Sequence, residues 1–365
     1  MSIRDYSNLT RQILKRRLLP NGNLHLRLGI AVTYRCNSRC SNCGIWKMKA
    51  DSKTELQVGD YQKLFSDLKD QLAFVELTGG EPFMRKDLAE ILISAGEILP
   101  FGTFLGVTSN GFLTDQIIKT IKSVVQKIRQ PLTVGISIDG DRKMAEKVRG
   151  VSEAFAKSFE TFLNLKRLAK DYPNLMPHLS YTIFPENAGR FSGFRDQMTR
   201  DFQLKDEDIS IAYGQDAFLY HQKKSLILNQ KPAIQDIVQA RSPVKPSKTS
   251  PILKLKNNFK SFYLKTLEER ILARDWKTRN CAAGDYSGFI EPDGEVYPCI
   301  SWPKSLGNLR NDSIEKIWFG DHGRKIRTEI KENRCPGCWT TCEVQPTYLK
   351  NWPYLRRLRP SKKSK

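Results

Sequence analysis

The apolar positions of this chain alternate between two rhythms. Short apolar or alternating runs bounded by glycine and polar residues recur near residues 28, 74, 104, 133, 179 and 209, as buried strands do. They include Leu28-Gly29-Ile30-Ala31-Val32, Phe74 to Thr78, Phe104 to Thr108, Val134 to Ile138 and Ser180 to Phe184. Between them the spacing lengthens to the helical period. In residues 86–99, Leu88, Ile91, Leu92, Ala95 and Leu99 share one face, and residues 155–169 repeat the pattern with Phe155, Phe159, Phe162, Leu163, Leu165 and Leu168. Six strand–helix units in series predict an α/β fold on a parallel sheet with right-handed crossovers. No period recurs strictly, so the units are not a solenoid.

Such folds carry their reactive groups at the C-terminal ends of strands, and here those ends are polar. The first strand runs into CNSRCSNC, which holds Cys36, Cys40 and Cys43. The second ends in Gly79-Gly80-Glu81-Pro82, where glycines let a ligand approach the backbone and Pro82 stops the strand. The third ends in Ser109-Asn110-Gly111; the fourth carries Ser137 and ends in Asp139-Gly140. Any one of these is an ordinary strand-to-helix turn, but four in register point to a site. Three thiolates on one loop suit three corners of a [4Fe–4S] cube, which normally takes four cysteines, and leave one iron open. Zinc, which usually takes four ligands in two separated pairs, and plain buried thiols are the alternatives.

Five more cysteines lie late, at Cys281, Cys299, Cys335, Cys338 and Cys342. Asp293-Gly294, between Ile290 and Tyr297, predicts a β-hairpin that brings Cys281 and Cys299 together across its base. The last three cysteines, spaced C-x2-C-x3-C, suit a metal knuckle, with a four-cysteine zinc site as the alternative.

These motifs together resemble those of the radical S-adenosylmethionine enzymes. Cys36, Cys40 and Cys43 match that family's cluster motif, and Gly79, Gly80, Glu81 and Pro82 match the loop that holds the amino group of S-adenosylmethionine. Ser109 and Asn110 match residues near its ribose and carboxylate; Ser137 and Asp139 match the fourth-strand SIDG segment. Lys147-Val148-Arg149-Gly150 with Phe155 resembles the segment after that strand in many members, and Asn187 is carried over from a loose likeness in the fifth. Asn42 stands where the family commonly has an aromatic residue. The resemblance implies a partial (β/α)6 TIM-like barrel, a [4Fe–4S] cluster, S-adenosylmethionine as cofactor and an electron donor of flavodoxin or ferredoxin type. It also implies a 5′-deoxyadenosyl radical that abstracts hydrogen from a substrate.

Cys281, the Gly294-x4-Cys299 spacing, Gly307-Asn308-Leu309 and the knuckle resemble the SPASM/twitch auxiliary-cluster module. Its full form binds two clusters with seven cysteines. Five support one auxiliary cluster, on Cys281, Cys299 and two or three of Cys335, Cys338 and Cys342. The resulting organisation is a basic N-terminal extension (1–27), a barrel (28–215), a basic insert or linker (216–275), a small hairpin-containing auxiliary-cluster domain (276–345) and a basic tail (346–365).

Composition adds two points. No run of eighteen apolar residues exists to span a membrane, and the basic N-terminus is not a signal peptide, so eight cysteines are expected to serve metals in a reducing cytoplasm. The net charge of +21 lies wholly in residues 1–30, 220–265 and 346–365, at +5, +9 and +7. A bias confined to appendages suggests an anionic partner. Leu9 to Leu19 and the run from Tyr348 to Arg359 mix apolar and basic residues, as interfacial anchors do, or RNA-binding segments. The expectation is a membrane-surface or lipid-type substrate ahead of RNA, with peptides favoured by family analogy and peripheral contact at the membrane's inner face. Leu226 to Leu228 and the stretch from Phe259 to Leu264 are expected to form helices over the barrel mouth. A cluster protein that merely binds nucleic acid would explain the charge and the cysteines but not the four polar strand ends. His25, His178, His221 and His322 form no visible constellation.

Overall fold

The structure, a computed structural model, describes residues 27–48, 50–215, 218–220, 230–241, 251–278 and 280–351. Its centre is a run of parallel strands in chain order: β1 (Arg27–Thr33), β2 (Phe74–Gly79), β3 (Phe104–Ser109), β4 (Leu132–Ser137), β5 (Leu175–Ile183) and β6 (Ile209–Tyr213). The helices between them are α1 (Val58–Leu68), α2 (Leu88–Ile98), α3 (Thr114–Val125), α4 (Arg142–Arg149), α5 (Ala154–Asp171) and α6 (Phe191–Phe202). This is the partial barrel expected. β5 starts five residues before the run read from the sequence, because Pro177 and His178 interrupt its apolar pattern. The ladder to β6 begins only at Leu179, so Pro177 sits where that side of β5 is still an edge.

Strand side chains alternate between faces. Leu28, Ile30, Val32, Val75, Leu77 and Leu105 point outward and are buried in the main core with the helices. Each such side chain contributes roughly 1.5–3 kcal/mol, so the outer face drives folding and the inner face is free to be polar. Gly29, Glu76, Gly106, Thr133, Gly135 and His178 occupy that inner face.

The late hairpin forms as expected, from β7 (Ser287–Ile290) and β8 (Glu295–Tyr297), and β9 (Gly307–Asn308) extends it. Unexpectedly, β7 also pairs parallel to β1, from Arg27↔Ser287 to Ile30↔Ile290. The hairpin thus continues the barrel sheet, which has nine strands among the described residues. Gly29 makes this possible, because a Cβ there would already lie 3.3 Å from the Phe289 ring.

The stretch read as a basic insert or linker contains two packed helices, α7 (Gln230–Ala240) and α8 (Pro251–Ala273). Asp236 of α7 is buried and accepts from Gly189 N (2.6 Å) and Phe191 N (3.1 Å), fastening α7 to the start of α6. In α8, the Tyr263 hydroxyl accepts from Tyr213 N at 3.2 Å, and Phe262 packs on Tyr348 with ring centroids 4.8 Å apart. The buried Arg270 guanidinium lies 3.9 Å from the Trp339 ring centroid. α8 is therefore a strut from the end of β6 to the C-terminal segment, which adds α9 (Ile314–Phe319), α10 (Asp321–Lys331) and α11 (Thr341–Asn351). The expected N-terminal amphipathic stretch, Leu226 to Leu228, the proline-rich linker after Arg241 and the tail from Trp352 lie outside the described residues. Among the described residues no helix is long and apolar enough to cross a membrane.

Candidate active site

Helix ends leave carbonyls without intrahelical partners, and the cysteine loop after β1 satisfies those of α4. Arg39 N donates to Arg149 O (2.9 Å), Ser41 N to Val148 O (2.8 Å) and Ser38 Oγ to Arg149 O (3.0 Å). Gly150 ends α4 at φ 63°, and a Cβ there would lie 2.6 Å from Arg39 O. Donors also converge on the sulfurs. Ser38 N donates to Cys36 Sγ (3.4 Å), Ser38 Oγ lies 3.0 Å from Cys40 Sγ, and Arg149 Nη1 donates to Cys40 Sγ (3.7 Å). Trp46, an aromatic just after the triplet that sequence reasoning passed over, donates Nε1 to Cys40 O at 3.1 Å.

Arg149 is held in turn by Asp139, at 2.5 Å with the carboxylate almost wholly buried. Thr182 N donates to Asp139 Oδ1 (3.1 Å), and Asn187 Nδ2 donates to Asp139 O (3.0 Å). Sequence reasoning noted Arg149 only as part of a resemblance and gave it no role. Asp139 spends its side chain on that arginine.

The Gly79–Pro82 loop crosses the same backbone. Gly80 N donates to Thr33 O and Glu81 N to Arg35 O, both at 2.8 Å. A Cβ on Gly79 would lie 2.2 Å from Thr33 O, and one on Gly80 2.3 Å from Arg35 O. The two glycines thus admit the cysteine loop itself. The buried Glu81 carboxylate accepts from Ser109 Oγ (2.9 Å), Asn110 N (2.8 Å) and Phe83 N (3.2 Å). Burial outweighs those donors and pushes its pKa up to about 7. Asn110 Nδ2 reaches Asn37 Oδ1 at 2.7 Å, tying the third strand end to the cysteine loop. Asn42 is buried in that loop, and half-buried Ser137 stands beside Ser180 at the end of β4. The structure therefore brings Cys36, Cys40, Cys43, Glu81, Asn110 and Arg149 to one end of the sheet.

Burial raises the thiols of Cys36, to about 12, and Cys43, to about 11. Such thiols keep their protons until a metal displaces them. Among the described residues no three His, Cys, Asp or Glu side chains are grouped to hold a single metal ion. A triplet spread along a loop, with donors aimed at two of its sulfurs, fits a multi-iron cube.

The late cysteines gather about one buried carboxyl that sequence reasoning missed. Burial and then the negative charge of Glu343 raise the thiols of Cys281, Cys299 and Cys338, the last to about 11. Cys335 adds its charge to Cys281 and Cys338. Glu343 accepts from Ser287 Oγ, and burial lifts it to about 7. Cys342 is placed differently: Arg27 Nη2 donates to its sulfur at 3.5 Å, and it packs on the apolar patch that contains Phe289 and Ile300.

Residues 30–188 match the sequence pattern of the radical SAM superfamily, and residues 281–343 match SPASM, an iron–sulfur cluster-binding domain. Over 330 residues the chain is 25% identical to the antilisterial bacteriocin subtilosin biosynthesis protein AlbA of Bacillus subtilis (strain 168), covering 84% of this chain. The match spans 66% of AlbA, just under two thirds of its length. It is 26% identical to Fe-coproporphyrin III synthase of Methanosarcina barkeri (strain Fusaro / DSM 804), over 84% of this chain and 79% of that protein. The fold is similar to that of Streptococcus suis SuiB bound to precursor peptide SuiA, with a TM-score of 0.56 at 14% identity over 88% of this chain and 71% of SuiB.

Proposed function

Because this chain is an enzyme of the radical SAM superfamily with a SPASM iron–sulfur domain, we propose that Cys36, Cys40 and Cys43 hold three irons of its [4Fe–4S] cluster. Once an electron is delivered, the cluster and S-adenosylmethionine together supply a hydrogen-abstracting 5′-deoxyadenosyl radical. The chain's own residues set the stage for that chemistry. Ser38 and Arg149 stabilise thiolate at Cys36 and Cys40, and Asp139 fixes the arginine. Gly79 to Pro82, Ser109, Asn110 and Ser137 lie at the mouth where S-adenosylmethionine is held, and Asp139 acts on it from behind, through Arg149. Cys281, Cys299, Cys335 and Cys338 carry one auxiliary cluster, and Cys342 is the spare. The barrel spans 28–215 and the auxiliary unit 276–345.

The electron donor is of flavodoxin or ferredoxin type. The substrate is a peptide, a class supported by the bacteriocin-biosynthesis name of AlbA and the precursor peptide in the SuiB structure. A lipid or membrane-surface substrate, suggested by the basic appendages, is the second reading.

One observation carries the radical reading: three thiols, with donors aimed at two of their sulfurs, meet at one end of a parallel sheet. The test is anaerobic 5′-deoxyadenosine formation by reduced, iron-loaded protein. Replacing Cys36, Cys40 and Cys43 together with alanine should abolish the product yet leave one cluster's worth of iron, about four atoms per chain. Unchanged product formation would sink the reading, and zinc in place of the residual iron would overturn the auxiliary cluster.

A further inference from the structure

We infer that the exposed basic face beside the first cysteine loop, built from Arg39, Lys47, Lys143 and Lys147 around Trp46, is the docking surface for an acidic, flavin-carrying electron donor. This names the partner of the site proposed above and rests on that reading.

The first observation is how the loop meets the surface. An electron crosses protein readily only over short distances, so a donor must seat where a cysteine ligand lies close beneath solvent. Trp46 marks such a place. Its indole Nε1 donates to Cys40 O at 3.1 Å, yet the residue is 36% exposed. Met48, two residues on, is 37% exposed. Large apolar side chains left together in water mark interaction surfaces, and tryptophan, methionine and arginine are types that such surfaces favour.

The second observation is charge. From Tyr34 to Ala50 the sequence holds Arg35, Arg39, Lys47 and Lys49 and no acidic residue. Lys47 Nζ stands 5.0 Å from the Trp46 ring centroid. The seating of the loop on α4 adds more. Arg39 N and Ser41 N bind the carbonyls of Arg149 and Val148, which brings exposed Lys147 beside exposed Arg39. Exposed Lys143 lies one turn back on the same helix face. Among the described residues none of these four cations is paired with a carboxylate. The nearby acids Asp51, Asp141 and Glu146 each accept from a neighbouring backbone amide. The face thus has an apolar centre and a basic rim.

That pattern fits one partner. A donor that reduces a low-potential cluster must hold its own electron at low potential, and negative charge around a redox centre lowers it. The donor's redox face is therefore acidic. At the middle of the contact, an exposed indole and thioether suit the apolar edge of a flavin ring. One electron leaves the donor's anionic flavin hydroquinone and enters the cluster, and no bond or proton moves. A nucleic acid would answer the charge but make no use of a position over Cys40.

The test compares two reductants on the full-length, iron-loaded protein. 5′-Deoxyadenosine formation is followed against the concentration of a purified bacterial flavodoxin, kept reduced by NADPH and its reductase. It is followed separately with dithionite, which is small and needs no docking. Lys47→Glu and Lys147→Glu together should raise the flavodoxin concentration at half-maximal rate about tenfold, as reversed rim charges slow association. The saturating rate and the dithionite rate should stay at wild type. Lys47→Arg with Lys147→Arg should keep the wild-type curve, and Lys143→Glu alone should shift it in the same direction. In about 1 M salt, where charges act over only about 3 Å, the wild-type curve should move to that of the reversed variant. Coincident flavodoxin curves at low salt, or equal losses with both reductants, overturn the inference. So does wild type that responds to dithionite but to no concentration of flavodoxin. Protein that forms no 5′-deoxyadenosine even with dithionite loses the radical reading and this inference with it.

Discussion

Glu81 carries a pH dependence whose sign and size both follow from its burial. Its carboxyl sits at about 7 in the fold against 4.5 when free, and a difference of about 2.5 units at 1.36 kcal/mol each is about 3 kcal/mol. Below a pH of about 4.5 the group is neutral in both states. Between there and about pH 7 the unfolded chain releases a proton that the folded chain keeps, so stability falls as pH rises and then levels off. Unfolding entropy of about 2.1 cal/mol/K per residue gives a chain of 365 residues about 0.8 kcal/mol/K, so the effect is about 4 °C in Tm. Glu81→Gln cannot titrate. Its amide also faces donors on Ser109, Asn110 and Phe83, which adds a loss independent of pH. Melting of the metal-free proteins by circular dichroism at about pH 5 and about pH 8 should show wild type gaining those degrees on the variant at the acid end. Glu343, also at about 7, is present in both proteins and cancels. Parallel Tm–pH profiles would refute the burial argument.

Three other substitutions test the supports of the site. Gly150→Ala places a side chain at φ 63° and a Cβ 2.6 Å from Arg39 O; beyond a backbone cost of about 1–2 kcal/mol, it should loosen the cysteine loop and lower iron retained per chain after desalting. Asp139→Ala leaves Arg149 charged, mostly buried and without its partner, which costs about 3–5 kcal/mol; thermal melting should fall by about 4–6 °C. Tyr34→Phe removes the hydroxyl that donates to Glu291 Oε1 at 2.8 Å and should destabilise by about 1–3 kcal/mol, measured by urea titration.

The barrel was legible because its outward strand positions, such as Ile30, Val75 and Val107, are apolar enough to show a strand signal in one dimension. The inward positions were not. Glu76, Thr133 and His178 weaken that signal, and only closure of the sheet reveals that they face one another. The cysteine spacings could be read because a loop's ligands are local in sequence. The support beneath them was harder to see: the docking of Ser38 on the end of α4 joins segments 111 residues apart, and the Asp139–Arg149 pair, though only 10 residues apart, matters through the sulfur that Arg149 reaches across a similar gap. Gly79 and Gly80 looked like room for a ligand because a close approach by the chain's own backbone leaves the same residue type. The Pro-, Ser- and Lys-rich composition of Arg241 to Lys248 reads as a linker, whereas in the neighbouring α8 Tyr263, Leu264, Leu267 and Ile271 form a buried stripe.

The pairing of β7 with β1 has a consequence for how the protein is made. β1 has one neighbour, β2, within fifty residues, but its other edge waits for Ser287–Ile290, some 260 residues later. On the ribosome the six-stranded part emerges complete with its helices yet with a bare edge, whose unpaired amides and carbonyls can template pairing with another chain. A nonsense codon near residue 275 would therefore not yield a soluble barrel lacking its late cysteines. It would yield a sheet missing its last partner, prone to aggregate before any iron is loaded.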